Sequence, residues 1–211
     1  MKLGDTIRGV TISRKWRTRR ERRLDGRGRL RNLTLATAAS LLMASTLLAQ
    51  GTPSGEYAVK AAFLFHFAQF VEWPAGAFKG ANSPMTYCTV GEDPFRGGLD
   101  ESLRGKTIRE RAIRVQHLKP SDGIQDCQIL FISASDNKRT AGILADAKGS
   151  AILTVGESQT FAEDGGMIEF CLEGNKIRFE INLSAVGAAK LKMSARLLAL
   201  AKTVIGTPGG N

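Results

Sequence analysis

The chain has 211 residues, 43% of them hydrophobic and 24% charged, which excludes a disordered or fibrous protein and suits one domain with an extension. Its formal charge of +10 at pH 7 is a nucleic-acid binder's balance, but residues 1–49 hold 12 Lys and Arg against 3 Asp and Glu, while residues 50–211 hold 18 against 17. A body this close to neutral argues against a basic groove, and therefore against nucleic acid as a partner.

Residues 1–49 read as a leader. An Arg-rich stretch over 8–31 precedes an apolar run over 33–49, LTLATAASLLMASTLLA, the order of a secretory signal. Ala49 closes a plausible cleavage site, and the arginines lack the full twin-arginine context, so a Sec-type signal is expected. The competing reading is an uncleaved inner-membrane anchor, since 17 apolar residues reach the lower limit for a span. Either way the positive-inside rule puts the body on the far side of the membrane.

In the body, residues 56–72 (EYAVKAAFLFHFAQFVE) predict a helix, ended by Trp73-Pro74 because the residue before proline avoids the α region. Its apolar stripe is so wide that a core helix under a sheet is the favoured reading. MTYCTV over 85–90 predicts a strand left by a turn at Gly91-Glu92-Asp93-Pro94, and a short helix follows near 98–103. RAIRVQH over 111–117 alternates with period two, the mark of a strand with a wet face or an edge. QILFIS over 128–133 and AILTV over 151–155 are continuous apolar runs, typical of buried central strands. Between them residues 135–148 predict a helix. Strands over 167–172 and 176–182 flank Glu173-Gly174-Asn175, a hairpin signal. Residues 184–205 predict one long amphipathic helix, ended by Thr207-Pro208-Gly209. The expected fold is a single-domain α/β/α sandwich over 53–206, with a mixed, mostly parallel sheet, a C-terminal hairpin and a long helix, and a tail over 207–211.

No constellation specifies catalysis. The chain lacks a G-x-S-x-G elbow, a Walker loop and a G-x-G-x-x-G turn, and no enzyme activity or cofactor is expected. His66 and His117 have no metal-ligand pattern, so no metal site is expected either. Asp93 follows the first strand, where α/β folds place functional groups, but beside Pro94 it reads as a turn residue. Asp164-Gly165-Gly166 serves a tight turn or a binding loop. The three cysteines, Cys88, Cys127 and Cys171, allow three pairings in an oxidising compartment, with one thiol left over. Cys171, between Phe170 and Leu172, reads as a buried structural thiol.

Taken in order, several segments resemble the YfiR-like family of periplasmic proteins. They are Val59-Lys60-Ala61-Ala62-Phe63-Leu64-Phe65, Phe70-Val71-Glu72-Trp73-Pro74, Cys88-Thr89-Val90-Gly91-Glu92-Asp93-Pro94-Phe95 and Leu103-Arg104-Gly105-Lys106. Further along come Cys127 to Ser133, Leu153-Thr154-Val155, Phe161 with Gly165-Gly166-Met167-Ile168, and Asn175 to Asn182. The resemblance covers about residues 56–205. It implies an α/β/α sandwich, export to the periplasm, and a non-enzymatic regulator that represses an inner-membrane diguanylate cyclase, lowering cyclic di-GMP and biofilm formation. It also implies that Cys88 and Cys127 pair, closing a loop worth roughly 4 kcal/mol in the chain-entropy account. The partner is then the periplasmic domain of the cyclase, met by an apolar surface that includes Phe65 of the first helix or the loop Gly165, Gly166, Met167 and Ile168. A homodimer and a small-molecule ligand stay open as further partners. The alternative is a periplasmic small-molecule-binding or sensory module without a cyclase partner.

Overall fold

The computed structural model describes residues 53–207. The leader over 1–49 and most of the tail lie outside the described residues. Helix α1 (Pro53–Phe70) is followed by strands β1 (Val71–Glu72) and β2 (Met85–Val90), helix α2 (Gly98–Leu103), and strands β3 (Thr107–Ile108), β4 (Arg111–Leu118) and β5 (Ile129–Ile132). Then come helix α3 (Asn137–Ala147), strands β6 (Leu153–Gly156), β7 (Ile168–Glu173) and β8 (Lys176–Asn182), helix α4 (Leu183–Ala188), strand β9 (Lys192–Met193), helix α5 (Ala195–Leu200) and strand β10 (Thr203–Ile205).

Eight strands form one sheet in the order β10-β8-β7-β6-β5-β2-β4-β3, and β1 pairs with β9 in a separate ribbon. Within the large sheet only β7–β8 and β3–β4 are antiparallel, so the sheet is mixed and mostly parallel, as the alternation of strands and helices implied. All six residues of β2 and all four of β5 and β6 are buried, because helices cover both faces of a parallel sheet. Successive strand residues point to opposite faces. Tyr87, Phe131 and Val155 therefore pack with α1, while Cys88, Leu130 and Ile132 pack with Ile143 and Ala147 of α3.

Helix α1 is a core helix under the sheet, but one with a solvent face. Ala61, Leu64, Phe67 and Ala68 are buried, at the i, i+3, i+6, i+7 spacing of one stripe. The Phe67 ring lies 5.0 Å from Phe179 and 5.7 Å from Phe170. Burying a side chain of this size stabilises by about 1.5–3 kcal/mol. Ala62, His66 and Gln69 face solvent. The helix stops at Phe70, two residues before the expected end, because Val71 and Glu72 pair with Met193 and Lys192.

The hairpin turns on Gly174-Asn175, with φ of 52° and 64°; positive φ at both central residues is what a two-residue hairpin of matching twist requires. The long helix expected over 184–205 does not form. That stretch is two short helices and two short strands. Asn182 caps α4 through Ala185 N (3.0 Å) and Ser194 caps α5 through Leu197 N (3.3 Å). Between them Lys190 adopts φ 57°. Lys190 N then donates to Gly187 O (2.9 Å) and Leu191 N to Val186 O (3.1 Å), the paired bonds of a Schellman ending. Burial of Leu191 and pairing of β9 with β1 and of β10 with β8 reward the break.

Candidate functional site

Strand order reverses beside β2. From β2 the chain crosses to β4 on one side, with α2 against α1 on that face of the sheet. It then returns to β5 on the other side of β2, and α3 lies on the opposite face. The loops leaving β2 and β5 diverge, and a crevice opens at the carboxyl ends of the strands, where open α/β sheets bind ligands.

That crevice is a cavity of about 750 Å³. Glu92, Asp93 and Phe95 come from the loop after β2, Ser133 and Ser135 from the end of β5, and Glu157 from the end of β6; Tyr57 of α1 and Glu101 of α2 close the sides. Behind Glu157, which lines the cavity, the Lys60 ammonium lies 2.6 Å from both Glu157 Oε2 and Glu56 Oε1. Lys60 and Glu157 side chains are each only 6% exposed. Tyr57 Oη donates to Glu157 Oε1 at 3.3 Å, and Ala134 N to the same oxygen at 3.1 Å. Burial pushes the Lys60 ammonium down, but its hydrogen bonds to Glu157 and Glu56 outweigh that and leave it above the usual lysine value. Burial, then the Glu157 charge, raises the Tyr57 phenol. A buried ion pair gains little net stability over apolar packing.

Asp93 is a turn residue: its oxygens accept from Phe95 N (2.9 Å) and Gly97 N (2.8 Å). His66 is exposed beside Gln69. His117 bridges Thr89 Oγ1 (2.8 Å) and Asp100 Oδ2 (2.9 Å), and Thr89 is buried, so this hydroxyl is closed to substrate. No group of three or more His, Cys, Asp and Glu able to hold a metal ion occurs among the described residues.

Cys88 and Cys127 form a disulfide, with Cα atoms 5.8 Å apart. The bond ties the central strand β2 to the loop entering β5. Cys171 is half-buried on β7 rather than fully buried, and burial, the largest influence, raises its thiol.

Phe65 is half-buried against the core, with Lys106 Nζ 4.6 Å from its ring centre. Gly165 is exposed, but Gly166, Met167 and Ile168 are buried. Of the expected contact loop, only Gly165 is exposed. Ile168 opens β7 between Val155 of β6 and Ile181 of β8 and its side chain is fully enclosed, while Met167 N donates to Thr154 Oγ1 and Met167 edges a groove with Asp164 and Gly165. Gly166 is fixed by Phe161, whose ring occupies the space a Cβ would need. Apolar surface lies elsewhere: Val59 and Leu172 are 45% and 64% exposed, beside Phe63 and Ile177 in a groove of about 500 Å³.

Sequence reasoning missed Lys60, Glu157, Ser133 and Ser135. Their signal was positional: Ser133 and Glu157 are the first polar residues after two buried strands.

Fold and crevice define a single α/β/α domain with a disulfide-tethered central strand. The chain belongs to the YfiR/HmsC-like family, whose model matches residues 57–202. That family is one of regulators rather than enzymes and suggests a periplasmic protein of diguanylate cyclase signalling. A solved structure of a conserved domain protein from Vibrio cholerae O1 biovar El Tor is similar over 57% of this chain, at 10% identity and a TM-score of 0.41. The chain spans about half of that relative, 54% of its length. No curated protein matches the chain. Among the described residues, no helix is long and apolar enough to cross a membrane.

Proposed function

We propose that the protein is a non-enzymatic periplasmic repressor. Exported by its leader, it binds the periplasmic domain of an inner-membrane diguanylate cyclase and holds cyclic di-GMP synthesis low. The observation that carries this reading is the family match over residues 57–202. The leader's basic-then-apolar order and the disulfide support an oxidising compartment. A repressor shifts its partner only by its differential affinity for the inactive state; a hundredfold preference corresponds to about 2.7 kcal/mol.

The decisive experiment measures cellular cyclic di-GMP in a strain lacking the gene and in its complemented control. A rise reversed by complementation is expected. An unchanged level across growth conditions would sink the repressor and favour a ligand-sensing module. Phe65, half-buried on α1, is the proposed contact residue. Phe65→Asp should abolish complementation while thermal unfolding stays cooperative; full repression by a folded Phe65→Asp protein would remove that contact.

A further inference from the structure

We propose that a cavity between the β3–β4 turn and the segment after β1 binds a phosphate group. The inference stands on the geometry of that cavity and not on the repressor reading. A volume of about 510 Å³ falls in the range of small-molecule sites, roughly 300–1,000 Å³. The cavity shares no lining residue with the crevice at the carboxyl ends of β2 and β5. Arg109 and Arg111 supply its charge, Trp73 and Phe78 its aromatic walls, and no acidic residue lines it.

Arg111 is the fixed element. Its Nη1 donates to Gly80 O (3.1 Å) and Ser83 O (2.7 Å), and its guanidinium carbon lies 3.9 Å from the centre of the Phe78 ring. These contacts hold the group in place and use the hydrogens of one nitrogen. The Nε–Nη2 edge is a two-donor fork that matches the oxygens of a phosphate or a carboxylate. It has no partner among the described residues, and no carboxylate there lies within ion-pair distance of Arg111. A half-buried guanidinium held this way without a counter-ion is poised for an anion from solution.

Arg109 brings a second guanidinium to the same cavity. With Glu110 it forms the turn between β3 and β4, at φ of 48° and 68°, a left-handed pair for which hairpins usually use Asn-Gly. Arg109 Nη2 donates to Val71 O (3.2 Å) and lies 3.9 Å from Glu72 Oε1; its Nε and Nη1 have no acceptor among the described residues. The indole Nε1 of Trp73, shielded from solvent, has none either. Donors therefore exceed acceptors on these walls, and two positive charges face one exposed carboxylate. A phosphate monoester suits two guanidiniums, because it carries about −1.5 to −2 charges at pH 7 and three acceptor oxygens. A carboxylate brings one charge and two oxygens. The group arrives either on a soluble phosphate ester or on a phospholipid headgroup, and the test separates these sources.

The test titrates the purified protein by calorimetry with sn-glycerol 3-phosphate, a soluble monoester, and with glycerophosphoglycerol, the headgroup of phosphatidylglycerol freed of its chains; glycerol and acetate are the controls. Saturable binding of at least one phosphate compound is expected, weaker in high salt because its contacts are ionic. Tighter monoester binding assigns the site to a soluble ester, and tighter diester binding assigns it to a headgroup. Arg111→Gln should weaken binding about tenfold or more and Arg109→Gln about three- to fivefold. Arg111→Lys keeps the charge without the fork and should recover only part of the loss. Arg114→Gln removes the same charge from β4 outside the cavity and should leave binding unchanged. The Arg-rich leader is common to every variant, so its charge cancels in the comparison. Melting temperatures check folding; Arg109 is exposed, so Arg109→Gln keeps the test decisive even if Arg111→Gln unfolds. Absence of saturation by either phosphate compound at millimolar concentration would overturn the proposal. So would acetate binding as tightly, an affinity unchanged in folded Arg109→Gln, or an equal loss in Arg114→Gln. None of these outcomes reads cyclic di-GMP, so phosphate binding and repression fail or hold separately.

Discussion

Lys60 shows how one residue changes the meaning of a segment. In sequence it interrupts an apolar helix; in the fold it is a buried cation behind the crevice, paired with Glu56 one turn before it and with Glu157 just past the end of β6. Glu169 on β7 is the residue whose charge the fold opposes. Burial raises its carboxyl first; the charges of Glu180 and Glu163 add to this, and the bond from Ala162 N and the Lys202 charge only partly offset it. A folded-state value above the unfolded one means that the folded protein holds this proton more tightly. The stability it contributes is full below the unfolded value and is lost as pH rises through the folded one. Glu169→Gln keeps an acceptor for Ala162 N and removes the charge. Its melting temperature relative to the native protein should therefore be more favourable at about pH 7 than at about pH 4. A difference that is flat or reversed between the two would show that the fold does not oppose this charge.

At the scale of elements, the C-terminal stretch is the instructive case. Its apolar spacing fits a long helix, yet two caps and a left-handed residue divide it. Lys190 holds φ 57° where glycine usually stands, at a cost of about 1–2 kcal/mol for an L-residue, less the entropy glycine adds to the unfolded chain. Lys190→Gly should therefore stabilise the domain by about 0.5–1 kcal/mol in denaturant unfolding. A loss of stability would show that the Lys190 side chain contributes more than its backbone costs. The β7–β8 hairpin is the opposite case: its turn residues carry the positive φ they are known for, and the element is where the sequence places it.

For the whole molecule, the Cys88–Cys127 bond joins residues 39 apart, linking central strand β2 to the approach to β5. Its removal should be felt throughout the domain rather than locally. The Cys88→Ser/Cys127→Ser protein should lose about 2–5 kcal/mol of unfolding free energy, a large share of a typical 5–15 kcal/mol. Denaturant midpoints of the oxidised native protein and the double variant measure it. Equal midpoints would mean that sheet pairing alone holds β2 and β5 together. The sheet also sets the crevice, because the reversal of strand order beside β2 leaves its loops on opposite faces.

Local patterns were enough for most of the sheet and its core. Period-two alternation, continuous apolar runs and the Gly-Asn turn marked the main strands, since burial on one face or two leaves a trace in neighbouring residues. The same segments, in order, carried the family resemblance and the cysteine pairing it implied. What needed the tertiary structure was everything decided by distant partners. Met167 and Ile168 read as the start of a strand, but their sequence also allows a contact loop until β6 and β8 enclose Ile168. Residues 184–205 look helical until β1 and β8 offer edges to pair with. The crevice joins α1, the loop after β2 and the ends of β5 and β6, and no local period records that meeting. Its ion pair spans 97 residues of chain, and only strand order brings Lys60 and Glu157 together.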